Sequence, residues 1–187
     1  GNNLSLQSLD VYIDKDPGAG TGSRILLPGR NAALTKGDGW DYAVWAEGWN
    51  PGIFAPDAST LEAKAVAGAT FKIIVDIATN TVTLRVPKSV FGDGDPTQWG
   101  FAAVVMSQDG YPSPGVWRVR DVKATAEQWR IGGGSDTATN QTRILDMAWD
   151  KSSPTQEEML SSFNPSEVDV DKLTADDFPQ IQLLTVK

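Results

Sequence analysis

Thr70-Phe71-Lys72-Ile73-Ile74-Val75-Asp76-Ile77 and Thr81-Val82-Thr83-Leu84-Arg85-Val86 flank the short connection Ala78-Thr79-Asn80. Both runs are rich in β-branched residues, and the gap has hairpin length, so this stretch reads as two antiparallel strands. The same reading extends in both directions along the chain. Ser8-Leu9-Asp10-Val11-Tyr12-Ile13-Asp14 alternates strictly, placing Leu9, Val11 and Ile13 on one face of a half-buried strand. Residues 41–49 read as another strand before the turn Asn50-Pro51-Gly52. Trp99 to Ser107 is nearly continuous in apolar residues, as a buried strand is. Val122 to Ile131 is expected to form one more, ending at Gly132-Gly133-Gly134-Ser135.

Between these runs lie Gly- and Pro-rich breaks that supply positive-φ positions and cannot continue a sheet. The longest are Asp16-Pro17-Gly18-Ala19-Gly20-Thr21-Gly22, the Gly37/Asp38/Gly39 turn and Gly110-Tyr111-Pro112-Ser113-Pro114-Gly115. Pro87 to Phe91 has room for one helical turn. The good helix candidate is Ser153 to Leu160, with Ser153 as cap, Pro154 in the first turn and acidic residues early. Many short strands spaced by such turns indicate an all-β sandwich or barrel with one short helix near the C-terminus. The expected organisation is one β-sandwich domain over residues 1–150, and a short helix and acidic tail over 151–187 packing on it. The tail carries Ile181 to Val186 as its apolar stretch.

With 24 acidic and 16 basic residues the net charge is −8. An acidic chain repels nucleic-acid phosphate and anionic lipid, so nucleic acid is excluded as an expected partner. No apolar run approaches the ~20 residues that cross a bilayer, so no membrane insertion is expected. Cys and His are both absent. Disulfides, thiolate chemistry, zinc-thiolate sites and every Ser-His-Asp or Cys-His nucleophile fall away with them. Catalysis would have to run on carboxylates; Asp41, Glu47 and Asp76 are the candidates for general acid or nucleophile, and their spacing singles out no pair.

Two loops have the chemistry of a hard cation site. Asp14-Lys15-Asp16 at a strand end, followed by Gly18, Gly20 and Gly22, gathers carboxylates and carbonyls as calcium requires. Asp93 and Asp95 in Gly92-Asp93-Gly94-Asp95-Pro96 do the same on a smaller scale. Both loops also read as plain Asp-Pro-Gly turn chemistry.

The aromatic residues carry the other candidate site. Trp40, Trp45 and Trp49 fall within ten residues, with Trp45 and Trp49 on one face of the expected strand. Trp40, Trp49, Trp117 and Tyr111 stand beside Gly and Pro loops, where exposure is favoured. Flat apolar rings bearing a donor stack on the C–H faces of pyranose sugars. Large aromatics in a sandwich also serve as core, and Trp99 and Trp149 read that way.

Asp10 to Gly20 and Trp40 to Trp49 together resemble the glucodextranase C-terminal domain family, a type of domain also appended to amylopullulanases. Val86-Pro87-Lys88-Ser89-Val90-Phe91-Gly92, Trp99-Gly100-Phe101, Ile144-Leu145-Asp146 and Gln156-Glu157-Glu158 add to the resemblance. It implies an antiparallel β-sandwich of jelly-roll or DOMON-like type, similar to family-nine carbohydrate-binding modules. It further implies a secreted or cell-surface, non-catalytic accessory domain that binds polysaccharide, an α-glucan, for an extracellular glucan-degrading enzyme. Trp40, Trp45, Trp49, Tyr111 and Trp117 are then the expected sugar platforms, and calcium at Asp14, Asp16, Asp93 and Asp95 the expected cofactor. The alternative is a structural spacer or S-layer-type anchoring domain without sugar binding. The family's domain begins with an Asp-Pro-x-Gly-Asp-Asp segment and early strands that do not precede Gly1. An upstream chain segment, a second copy, or Ile181 to Val186 is therefore expected to complete the sandwich.

Overall fold

The computed structural model describes Leu4 and residues 6–109, 117–151 and 154–186. Its strands are β1 (Gln7–Asp14), β2 (Ala33–Leu34), β3 (Tyr42–Ala46), β4 (Gly52–Pro56), β5 (Ala63–Ala65), β6 (Lys72–Asp76), β7 (Thr81–Arg85), β8 (Gly100–Ser107), β9 (Ile144–Met147), β10 (Gln180–Ile181) and β11 (Leu184–Thr185). One helix, α1 (Gln156–Leu160), precedes β10. Among the described residues, seven strands form the main sheet in the order β11-β8-β1-β3-β4-β5, with β9 sharing the β11 edge of β8. Every pairing in it is antiparallel. The fold is all-β, as its sequence pattern requires.

β1 lies at the centre of this sheet, and its sequence alternation has an unexpected consequence. The apolar set Leu9, Val11 and Ile13 faces one layer, where Ile13, Val44 and Ile53 pack with Phe91, Trp99, Phe71 and Leu84. The opposite, polar set is buried more completely: Ser8, Asp10 and Tyr12 at 0% exposure and Asp14 at 1%. These residues face the larger core, built from Tyr12, Ala43, Trp45, Val104 and Met106 against Leu26, Leu27, Trp40, Met159 and Ile181.

Polar groups survive there because each has a partner. Trp45 donates its indole N–H to the Ser8 hydroxyl at 2.7 Å. Arg30 donates to both Asp10 carboxylate oxygens, at 2.7 and 3.1 Å, and the Tyr12 hydroxyl donates to the same carboxylate. Burial and the Asp10 charge beside it push the Tyr12 phenol well above its usual pKa.

The 70–86 hairpin forms as read, with its connection one residue longer, Ile77–Asn80 in place of Ala78–Asn80. Asp76 accepts from the Ala78 and Thr79 N–H groups, and Asn80 takes a left-handed φ of 53°. It stands as its own two-stranded sheet. Phe71 and Leu84 touch the smaller core, while Ile74, Ile77 and Val82 remain exposed.

Two expectations are corrected. Val122 to Ile131 forms no strand: Val122 and Ile131 make an isolated bridge, and the chain reverses tightly between Glu127 and Arg130. The helix begins later than expected, because Thr155 is its cap. The Thr155 hydroxyl accepts from Glu158 N while Glu158 reaches back to Thr155 N, a reciprocal capping box that leaves Pro154 outside. Ser153 lies outside the described residues.

The tail is tied down along its length. β10 pairs with β2 in parallel, β11 pairs with the start of β8, and Asn140 donates to the Asn164 and Asp177 carbonyls. The Ile181–Val186 stretch thus contributes Ile181 of β10 and the whole of β11.

Candidate functional site

The antiparallel registers separate the two candidate sites. Asp14 of β1 pairs with Gly100, and Gln7 at its other end pairs with Ser107. The acidic loop therefore lies at one end of the sheet. The β3–β4 turn with Trp49, and the chain that follows β8, lie at the other.

At the acidic end the Ile13–Tyr42 pairing brings Asp41 beside the Asp14 loop. Asp14, Asp16 and Asp41 each present a carboxylate oxygen, and these three atoms lie within 4.8 Å of one another. Backbone donors hold the carboxylates in place. Gly39 N and Asp16 N donate to Asp14, Lys15 N donates to Asp41, and the Thr21 hydroxyl donates to Asp16. The Lys15 ammonium turns away, donating to the Phe91 carbonyl and lying over Tyr42 and Trp99. Burial, added to by the neighbouring carboxylates, raises the Asp14 and Asp41 pKa values above the ordinary aspartate value. Among the described residues no cation forms an ion pair with the three carboxylates, although the Lys15 charge acts on Asp41, and their donor type and spacing fit a hard divalent ion.

Asp93 and Asp95 join no such trio among the described residues. Asp95 caps the 3-10 turn Pro96–Gln98 by accepting from Thr97 N, and that hydrogen bond lowers its pKa. Its chemistry is that of a turn. Asp41 is the member of the trio that local reading misses, since 25 residues separate it from Asp16 and the β1–β3 pairing brings them together.

Trp40 and Trp45, expected as platforms, are core residues. They are 1% and 5% exposed, so neither has a ring face for a sugar. Their donors are already used, by the Ile25 carbonyl and the Ser8 hydroxyl. Trp49 is 60% exposed. It does not share the Trp45 face because β3 ends at Ala46 and the strand alternation ends with it.

Trp117 is half-buried, its ring tilted against Phe54 and Trp45 with centroids 5.1 and 5.9 Å away. Tyr111 lies outside the described residues. Of the two tryptophans read as core, Trp99 is buried and Trp149 is partly exposed. A further exposed ring, Trp129, was missed because its segment was read as a strand.

The three candidate catalytic carboxylates do not converge. Asp41 and Glu47 sit at opposite ends of β3, roughly 20 Å apart at ~3.3 Å per residue, far beyond glycosidase spacing. Glu47 is fully buried between Gln108 and the Asn50 N–H. Asp76 caps the hairpin turn. A surface cleft of about 700 Å³ between the Ile25–Gly29 loop and the Asp169–Phe178 segment has no Trp or Tyr in its walls.

The described residues thus form an all-β domain with exposed indoles at one sheet end and an acidic trio at the other. Residues 1–174 match the family described as the C-terminal binding-module, SLH-like, of glucodextranase, and the chain belongs to that family. No curated protein matches the chain.

Proposed function

We propose that this module is non-catalytic and binds an α-glucan through the loop end of the main sheet, holding polysaccharide for a glucan-degrading catalytic domain outside the cell. Trp49 carries the proposal. An indole left 60% exposed on a tight turn, beside a sheet that buries Trp40 and Trp45, offers the flat apolar face a pyranose ring stacks on. Trp117, backed by Phe54 and Trp45, supports it as a second, partly covered ring at the same end. Membership of a binding-module family of glucodextranase supports the substrate class. Affinity electrophoresis through dextran, pullulan and soluble starch tests it. Retardation of the native chain that weakens in Trp49→Ala is expected; free migration in all three gels would reject it.

Calcium belongs to the same proposal as a stabiliser of the opposite end. Asp14, Asp16 and Asp41 are the ligand set, with Asp93 and Asp95 left out.

A second reading has its own observation. The family description is SLH-like, which favours attachment to a cell surface. Binding to purified cell-wall polymer without retardation by any α-glucan would select that reading.

A further inference from the structure

We infer that Trp129 is a further stacking platform for the polysaccharide, beside Trp49 and Trp117, with Arg120, Arg130 and Asp109 as the groups that meet its hydroxyls. The inference rests on the glucan-binding reading and adds a site to it.

Trp129 occupies a backbone conformation that disfavours it. Its φ is +66°, in the left-handed region where Gly and Asn fit and a bulky side chain is strained. Strain of this kind is ordinarily offset by burial or by function, and burial is not the compensation here, because the residue is 59% exposed.

The turn that carries the ring is held rather than loose. Arg120 and Arg130 both donate to the Trp129 carbonyl, at 3.4 and 3.3 Å. The Arg120 guanidinium carbon also lies 5.6 Å from the indole centroid, a cation–π contact that occupies one face and leaves exposure to the other.

Both arginines are anchored to the end of β8. Arg120 N donates to the Ser107 carbonyl, and Arg130 pairs with Asp109 at 3.2 Å. That places Trp129 at the sheet end that also bears Trp49 and Trp117.

One polar atom there has no partner among the described residues: Arg120 Nε is buried and meets no acceptor. Buried donors without acceptors are rare and costly. A sugar hydroxyl lying beside the ring is an acceptor of the right kind, and the Asp109 and Arg130 pair supplies an acceptor and a donor next to it. An exposed Trp with arginines is also the composition of a protein contact. The charged groups arranged around a single ring favour a hydroxylated ligand over an apolar partner surface.

The test uses the full chain, with Trp129→Gly and Trp129→Phe beside Trp49→Ala. Glycine accepts the left-handed φ, so Trp129→Gly is expected to fold with an unchanged or higher melting temperature. Its affinity for the retarding glucan should fall about tenfold, the loss of one good ring stack. Trp129→Phe should keep most of the binding. If the native chain is retarded and Trp129→Gly is retarded equally, Trp129 is not a platform and the glucan reading stands on Trp49. If no glucan retards the native chain, both fall. A drop in the melting temperature of Trp129→Gly would make the ring a packing element and overturn the inference. If the native chain self-associates with concentration and Trp129→Gly does not, with glucan binding intact, the ring is a protein contact and the inference falls.

Discussion

The Arg30 guanidinium lies against the Asp10 carboxylate with both side chains wholly removed from solvent, Nε to Oδ2 at 2.7 Å and Nη2 to Oδ1 at 3.1 Å. The pair sits on the core face of the central strand, 5.0 Å beneath the Trp45 ring, and Arg30 Nη1 also donates to the Pro28 and Trp117 carbonyls. Burial works against the Arg30 charge, and Asp10 more than offsets it, so its pKa is raised. One fork-shaped side chain thus joins β1, the 28–31 loop and the Trp117 segment.

Removing one member leaves the other as an uncompensated buried charge, which costs roughly 3–5 kcal/mol. Asp10→Ala is expected to lower stability by that amount in urea unfolding. Replacing both residues, as Asp10→Leu with Arg30→Met, should cost much less than twice the single loss. Additive losses would show that the pair is not coupled.

The tryptophans should divide by burial and not by sequence neighbourhood. Trp40→Ala and Trp45→Ala each empty a core position, at about 3–5 kcal/mol. Trp49→Ala should stay within about 0.5 kcal/mol, as exposed substitutions do, while weakening glucan retention. Equal destabilisation by all three would place Trp49 in the core.

Calcium should raise the melting temperature of the native chain relative to chelator. A ligand bound only to the folded state adds about 2.7 kcal/mol at a hundredfold excess over its dissociation constant. Asp16→Asn, at the exposed member of the trio, should abolish the shift without unfolding the chain. Superimposable melting curves with calcium and chelator would remove the metal from this site.

In chelator the trio should respond to pH with a defined sign. Asp14 and Asp41 have folded-state pKa values raised above 3.8, so the folded chain holds their protons more tightly than the unfolded chain does. Their ionisation therefore penalises folding above the raised values, and the penalty fades as pH falls towards 3.8. Asp57, Asp76 and Asp95 are shifted downward by hydrogen bonds and act in the opposite sense, so a difference measurement is needed. Asp41→Asn is expected to melt above the native chain at neutral pH, with the gap closing towards pH 4. A gap independent of pH would mean the three carboxylates do not interact.

Gly39 should tolerate no side chain. A Cβ there would stand 1.9 Å from the Thr21 carbonyl oxygen, and its N–H donates to Asp14. Gly39→Ala must move one of the two loops, and it should lose calcium stabilisation together with part of the fold's stability. An unchanged calcium response would show that the Asp14 contact is dispensable.

The sequence alone determined the strands at 8–14, 70–86 and 99–107, the all-β class and the exclusion of thiol and histidine chemistry. Period-two alternation, turn residues and composition are local properties that need no partner to be read. It also showed a helix near residue 156, but misplaced the cap, because Ser153 and Thr155 are both capping residues and only the reach of Glu158 distinguishes them. Tertiary structure decided the rest. Alternation says that β1 has two faces; it does not say that the polar face is the deeper one, which depends on Arg30 arriving from a loop 20 residues away. Trp45 and Trp49 look equivalent until β3 ends between them. Asp41 joins Asp14 and Asp16 because antiparallel pairing folds distant positions onto one sheet end. Trp129 is exposed because two arginines hold a left-handed turn that no propensity favours. The Arg30–Asp10 pair and the Asp14, Asp16 and Asp41 trio are joined across 20 or more residues of sequence, and such contacts are set by how the whole chain closes.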